Sequence, residues 1–186
     1  MTIAPQDLNI LRSLAGELAS LSNQDSMKEK LDRYYRLNDL EMVRPILLIN
    51  EIPWGEIKDD FLKPRCSQEF QAMEVGLRRT LFQANHFPVD MVVPPQFNVG
   101  KISHNTGIGL EVKEDSLNST TGSSIQSHSY EDQLETESDL AKLRIPEITY
   151  DEERTISKLE LARQVFDGLM DVRLSGSYPS YNIWDV

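Results

Sequence analysis

The stretch on which the fold prediction depends is residues 44–51, Arg-Pro-Ile-Leu-Leu-Ile-Asn-Glu. Residues 45–49 form an apolar run without polar alternation, which is typical of a strand buried on both faces. Such strands belong mainly to parallel sheets that are covered by helices. We therefore expect a strand here, and an α/β fold around it.

The residues that follow continue this pattern with a helix and a second strand. Ser67 is a suitable helix cap, and Arg78 is expected to point outward from the helix that follows it. The predicted buried face consists of Phe70, Met73, Leu77 and Leu81. The helix should end before Pro88, and the apolar residues 89–93 then predict a second strand. Strand, helix and strand in this order indicate a right-handed βαβ unit.

Residues 1–43 are predicted to form a helical extension. Its first helix carries an apolar stripe with three- and four-residue spacing, made of Leu8, Leu11, Leu14, Leu18 and Leu21. Ser26 and Glu29 have the spacing of a capping box, which predicts a second, charged helix that ends near Asn38.

The second half of the chain is more polar. Residues 107–113 alternate weakly, as a strand does, and the Ser/Thr-rich segment at about 115–129 is predicted to be a mobile loop. Residues 130–143 predict a short acidic helix, and a longer helix is expected from about Asp151. Residues 172–174 are predicted to begin a third strand.

Composition excludes several classes of protein. A formal net charge of −11 opposes the nucleic-acid backbone, so no nucleic-acid partner is expected. No apolar run is long enough for a membrane span, and no secretory leader is visible, so we expect a cytoplasmic protein without a membrane partner. Cys66 is the only cysteine, which excludes an intramolecular disulfide and a four-thiolate zinc site. No metal ligand is therefore assigned within this chain.

Three patterns together resemble the uroporphyrinogen decarboxylase superfamily. The first is residues 44–51, which are similar to the opening barrel strand of that family. The second is residues 87–93 with 109–112, similar to the second strand and its extension. The third combines Tyr130-Glu131-Asp132 with residues 139–147, similar to an acidic helix that ends in a proline-containing connector.

This resemblance implies the N-terminal portion of a (β/α)8 TIM barrel preceded by two helices, with the first βα units in residues 44–186. A complete barrel takes about 250 residues, so we expect an incomplete one here. The methyltransferase branch of the family implies methyl transfer that involves a corrinoid protein as partner. In that branch, zinc held by later barrel strands activates a thiol, so zinc and a corrinoid partner are expected only for the complete protein. A homodimer is a further expectation.

The same resemblance leaves two alternatives open. The decarboxylase branch has two substrate-binding arginines and an essential aspartate, whereas this chain has Asn50, Trp54 and Phe97 at the corresponding positions. An amide, an indole and a phenyl ring cannot replace two cations and an anion, because carboxylate recognition needs the guanidinium fork. One alternative is thus a lyase that acts on another carboxylated substrate, and the other is a truncated chain without catalysis.

Six residues are predicted to line a substrate site, and no residue is assigned a catalytic role. All six lie at or after predicted strand ends, where barrel enzymes build their sites. They are Asn50, Glu51, Trp54, Gln96, Asn98 and Trp184.

Overall fold

A computed structural model describes residues 3–87, 89–118 and 126–176 of the chain. These residues form four α-helices, six short strands and two 3-10 turns. The helices are α1 (Pro5–Ser22), α2 (Asp25–Asn38), α3 (Gln71–His86) and α4 (Glu152–Phe166). The strands are β1 (Gln96–Gly100), β2 (Ile102–Asn105), β3 (Glu114–Asn118), β4 (Gln126–Tyr130), β5 (Ile148–Asp151) and β6 (Asp171–Ser175). The 3-10 turns are Asp60–Leu62 and Glu137–Lys142.

The described residues divide into two compact units. Unit 1 consists of the described residues of Met1–Ile52, Lys58–Val99 and Ser157–Leu174, and unit 2 of those of Pro53–Ile57, Gly100–Ile156 and Ser175–Val186. Unit 1 therefore holds α1, α2, α3 and most of α4. Unit 2 holds β2 to β5. Among the described residues, no helix is long and apolar enough to cross a membrane.

The core of unit 1 is built on the apolar face of α1. Leu11, Leu14 and Leu18 are buried, while Leu8 and Leu21 pack at the edge of the same cluster, which confirms the predicted stripe. α1 packs against α3, whose Leu77 contributes to the same core. Each fully buried leucine contributes about 1.5–3 kcal/mol, so this face fixes α1 on the unit.

The C-terminal part of α4 completes this core. Ala162, Val165 and Phe166 are fully buried. The ring of Phe166 stacks on that of Phe97 in β1, with centroids 4.1 Å apart. Phe97 and Val99 face the core because alternate side chains of a strand point to the same side.

The predicted portion of a (β/α)8 TIM barrel is wrong for the described residues. Their strands form three separate two-stranded sheets, in which β1 pairs with β6, β2 with β5 and β3 with β4. Two of these sheets, β2–β5 and β3–β4, are antiparallel, whereas a barrel needs successive parallel strands in one sheet. The first βα units expected in residues 44–186 are therefore not formed.

The apolar run at residues 45–49 is not a strand, because other groups take its backbone hydrogen bonds. The Leu47 amide donates to the Asp90 carboxylate at 3.0 Å, and the Leu47 carbonyl accepts from the Asp90 amide at 3.0 Å. The Ile49 carbonyl accepts from the side chain of Gln83 at 2.8 Å. Residues 89–93, the second predicted strand, form no strand either.

Two helix starts also differ from the prediction. α2 begins at Asp25, and its N-cap residue Gln24 makes no side-chain capping bond, so the predicted capping box of Ser26 and Glu29 is wrong. α3 begins at Gln71 rather than after Ser67. The ends are confirmed, since α2 ends at Asn38 and α3 ends at His86, before Pro88.

In unit 2, residues 107–113 do not form the predicted strand. Residues 107–113 are irregular because Gly107 and Gly109 adopt φ angles of 72° and 90°, in the left-handed region that a strand does not use. A Cβ at Gly109 would lie 2.9 Å from the Lys142 carbonyl oxygen, so only glycine fits there. The predicted acidic helix at residues 130–143 is reduced to the 3-10 turn at Glu137–Lys142.

The Ser/Thr-rich segment at about 115–129 is not a loop throughout. The antiparallel pair β3–β4 occupies its two ends, with Glu114 opposite Tyr130 and Ser116 opposite His128. His128 Nδ1 lies 2.9 Å from the Glu114 carboxylate, so polar side chains bridge the two strands. Residues 119–125, where the predicted mobile loop continues, lie outside the described residues.

Candidate functional site

A groove of about 410 Å³ in unit 1 is the candidate functional site. Its size falls within the usual range of small-molecule pockets, and apolar side chains supply most of its wall. The groove is formed by α1, α3, the segment before β1, β1 itself and the residue before β6. Its lining residues are Leu18, Ala72, Met73, Gly76, Leu77, Thr80, Val92, Val93, Pro94, Gln96, Phe97, Asn98 and Met170.

The polar groups of the groove are two side-chain amides and one hydroxyl. Gln96 and Asn98 are two residues apart in β1, and both line the groove together with Phe97 between them. Thr80 donates its hydroxyl hydrogen to the Gly76 carbonyl at 2.9 Å, which leaves its oxygen able to accept a further hydrogen bond. No charged side chain occurs among the described residues that line the groove.

The structure therefore brings together two of the six predicted site residues. Asn50 and Glu51 are exposed in the irregular segment of unit 1 and do not line the groove. Trp54 is half-buried in a turn of unit 2. Trp184 lies outside the described residues. The role of all six in binding stays a prediction.

The contribution of α3 to the groove was not predicted from the sequence. Met73 and Leu77 were predicted as core residues, and Gly76 between them received no role. An isolated glycine inside a helical pattern is unfavourable for the helix, and this was the signal that could have marked the position. Met170 was also missed, because it lies in the turn between α4 and β6 and belongs to no periodic pattern.

Beside the groove segment Val92–Val93, a buried carboxylate fixes the chain. Asp90 is 3% exposed and accepts hydrogen bonds from Arg44 at 2.6 and 2.7 Å and from Arg33 at 2.7 Å. The bonds from Arg44 lower the pKa of Asp90 most, and the bond from the Leu47 amide lowers it next, so this pKa lies well below its usual range. Asp90 is thus an ionised anchor that links α2 and residues 44–47 to the chain leading into β1.

A second buried carboxylate anchors the start of α3. Glu74 is fully buried and accepts from the backbone amides of Arg65 and Cys66, both at 2.7 Å. Its other oxygen pairs with the Arg78 guanidinium at 2.7 Å, so the prediction that Arg78 points outward is wrong. Burial raises the pKa of Glu74, but the bonds from Cys66, Arg65 and Arg78 outweigh burial and lower it overall. The pair is therefore charged inside the unit.

The described residues do not fit a zinc ion. Burial first, and then the neighbouring Glu74, raises the pKa of the Cys66 thiol to about 12, which disfavours the thiolate that zinc requires. His86 stacks on Phe82 with ring centroids 4.0 Å apart, and its Nδ1 lies 2.9 Å from the Phe82 carbonyl oxygen. Within the described ranges, no three His, Cys, Asp or Glu side chains are grouped as metal ligands.

Unit 2 carries a second cavity of about 510 Å³, of a different character. It is a polar depression formed by β2, β5 and the start of α4, and it includes His104, Asp151 and Arg154. His104 is exposed there. Because its lining is mostly polar and includes charged side chains that remain hydrated, it is a weaker candidate for a small-molecule site than the groove of unit 1.

Two of the sequence patterns behind the family resemblance meet in unit 1. Arg44 from the first pattern pairs with Asp90 from the second at 2.6 Å. Comparison with models of protein families, with curated proteins and with solved structures finds no match to this chain. Membership of the uroporphyrinogen decarboxylase superfamily therefore stays a prediction.

Proposed function

We propose that this chain is part of a protein of the corrinoid-dependent methyltransferase type, and that the groove of unit 1 binds its small, neutral substrate. The observation that carries the binding proposal is the lining of the groove. Apolar side chains form most of it, two amides at Gln96 and Asn98 supply directed polar groups, and the described lining has no charged side chain. The quoted sequence patterns support the methyltransferase part.

The lining favours a ligand with an apolar body and one or two neutral polar atoms. Met73, Leu77 and Met170 offer a polarisable apolar surface, and thioethers adapt to ligands of irregular shape. The amides of Gln96 and Asn98 can each donate and accept a hydrogen bond, so they can orient a hydroxyl, ether or carbonyl oxygen. The proposed contribution of unit 1 to methyl transfer is therefore binding and orientation of the substrate.

A carboxylated substrate fits this groove less well. Burial of a carboxylate without a cationic partner costs several kcal/mol, on the order of 5 or more. Among the described residues, the guanidinium groups of Arg33 and Arg44 are bonded to Asp90, and that of Arg78 is bonded to Glu74. A lyase that acts on carboxylated substrates is thus the less favoured function. Titration with a neutral and a carboxylated probe distinguishes the two functions.

Calorimetric titration with two matched probes tests the binding proposal. The first probe is p-cresol, which is neutral at pH 7 and combines an apolar ring with one hydroxyl. The second is 4-methylbenzoate, which has a similar shape but carries a carboxylate. We expect p-cresol to bind with a dissociation constant near 1 mM, about −4 kcal/mol, and 4-methylbenzoate to bind at least about tenfold more weakly. Preference for the carboxylate would favour the lyase, and binding of neither probe would contradict the proposal.

Side-chain truncations locate the binding. Gln96→Ala and Asn98→Ala should each weaken p-cresol binding about three- to tenfold, because a neutral hydrogen bond contributes about 0.5–1.5 kcal/mol. Asn85→Ala is the matched control, since Asn85 is an exposed amide on α3 that does not line the groove. Equal effects of the three substitutions would show that the probe binds elsewhere.

The corrinoid part of the proposal has a separate test. Titration of cobalamin with the chain, followed by visible absorption, should give a saturable spectral change if the chain contributes to corrinoid recognition. An unchanged spectrum would contradict that part. It would leave the groove proposal to be decided by the p-cresol titration, because the two experiments use different ligands.

A further inference from the structure

We infer that Gly76 sets the size limit of the ligand that the groove accepts. This inference rests on the proposed function, because it concerns the same groove. Gly76 lies in the interior of α3 and belongs to the groove lining. A residue without a side chain at this point leaves room that any other residue type would fill.

Neither the backbone nor the packing of α3 requires glycine at this position. Gly76 is in a regular helix with no left-handed φ, and a Cβ added to it would meet no atom within 4 Å. Glycine is nevertheless among the least favourable residues in a helix interior, since it loses the most backbone entropy there. Gly76 is exposed and lines the groove, so the space that glycine leaves free is open and borders the groove.

The neighbouring side chains make the space at Gly76 useful for a ligand. Met73 and Leu77 lie on either side of it along α3, and both line the groove. Thr80, one turn further on, bonds back to the Gly76 carbonyl, so its hydroxyl is held at the helix surface. A ligand that extends along α3 can thus pass over Gly76 without meeting a side chain.

A homologous series of neutral probes measures this limit. The series p-cresol, p-ethylphenol, p-propylphenol and p-butylphenol keeps the hydroxyl constant and lengthens the apolar end. Each methylene that becomes buried should tighten binding to the unmodified chain about fourfold. From p-cresol to p-propylphenol, the dissociation constant should therefore fall roughly 15-fold.

Substitution of Gly76 should remove this gain. Gly76→Leu fills the free space, so p-propylphenol should bind no tighter than p-cresol, and Gly76→Ala should give an intermediate result. The matched controls are Gly16→Ala and Gly16→Leu, because Gly16 is also inside a helix, has nothing within 4 Å of an added Cβ and does not line the groove. These controls should keep the full gain, and the thermal midpoints of the alanine variants should equal or exceed that of the unmodified chain.

The outcomes of these titrations distinguish failure of this inference from failure of the proposed function. If the unmodified chain binds the series and Gly76→Leu shows the same gain per methylene, the size limit is elsewhere and the inference is overturned. If the unmodified chain binds no member of the series, the proposed function itself fails, and the inference fails with it. If the Gly16 variants lose the gain as well, the effect arises from helix changes in general, which also overturns the inference.

Discussion

Glu74→Ala is expected to be among the most destabilising single substitutions in unit 1. It deletes a fully buried carboxylate that accepts two backbone hydrogen bonds and leaves Arg78 charged at 5% exposure. Loss of one partner from a buried ion pair costs about 3–5 kcal/mol, mainly because the remaining charge is uncompensated. Unit 1 has about 110 described residues, so each kcal/mol shifts the thermal midpoint by about 3–6 °C and the expected decrease is roughly 9–30 °C.

Cys66 provides an internal reporter for this effect. It is the only cysteine of the chain, it is 4% exposed, and the pKa of its thiol is raised to about 12, so it should react with a disulfide reagent only when unit 1 opens. In Glu74→Ala the labelling rate should rise by about 100- to 4000-fold, which corresponds to the same 3–5 kcal/mol. Thermal unfolding by circular dichroism provides the independent measurement.

Two further variants test the cause. In Glu74→Leu/Arg78→Met both charges are replaced by apolar groups of similar size, so the part of the loss caused by the uncompensated Arg78 charge should return, whereas the part caused by two backbone amides without an acceptor should remain. Asp25→Ala removes one partner of an exposed pair, with Asp25 and Lys28 side chains 90% and 67% exposed, and should leave the midpoint almost unchanged. If Glu74→Ala and Asp25→Ala lower the midpoint equally, the reasoning from burial is refuted.

Three other predictions concern the anchors and the core. The pKa of Asp90 is held low chiefly by Arg44, so the ionised Asp90 stabilises the fold above its unfolded pKa near 3.9, and this stabilisation is lost as the pH falls. Asp90→Asn should therefore flatten the profile of stability against pH between about pH 5 and pH 2, and an unchanged slope would contradict this. Arg12 donates to three carbonyls at the end of α4, between 3.0 and 3.3 Å, so Arg12→Ala should cost about 1–2 kcal/mol in urea unfolding, whereas no loss would show that water replaces it. Phe166→Ala should cost about 3–5 kcal/mol by the same assay, and less than 1.5 kcal/mol would mean that Phe166 is not a core residue.

The helices were predictable because their information is local. The leucine stripe of α1 follows from spacing along one segment, and its burial agrees with it at Leu11, Leu14 and Leu18. Pro88 correctly marked the end of α3. The helix starts were less predictable, since Ser67 bonds to Asp7 in α1 instead of capping α3, and this partner is 60 residues away.

The strand predicted to begin at residues 172–174 is confirmed by β6, but the strands predicted at residues 45–49 and 89–93 are wrong for the opposite reason. Apolar character predicted strands at residues 45–49 and 89–93, but the hydrogen bonds of Leu47 are made with Asp90, a polar residue inside the second run. β3 and β4 lie in a Ser/Thr-rich region with little apolar alternation, so nothing local indicated that they pair. Both errors arise because a strand is defined by a distant partner, whereas a helix is defined by its own residues.

The site was predictable only in part. Gln96 and Asn98 were selected as polar residues that follow a strand, and the structure places them within β1 and on the groove. Asn50 and Glu51 were selected by the same rule, but the strand they were expected to follow does not form. Gly76 could not be selected without the fold, because its value lies in the space that surrounds it in three dimensions.

The most direct test of the account is to map the binding of p-cresol by amide NMR of the ¹⁵N-labelled chain. We expect saturable shifts of the side-chain amide signals of Gln96 and Asn98 and of the backbone amide of Gly76. The signals of Asn50, Asn85 and the backbone of β5 should stay in place. Shifts confined to residues outside the groove, or none at saturating probe, would contradict the claim that unit 1 binds a small neutral ligand.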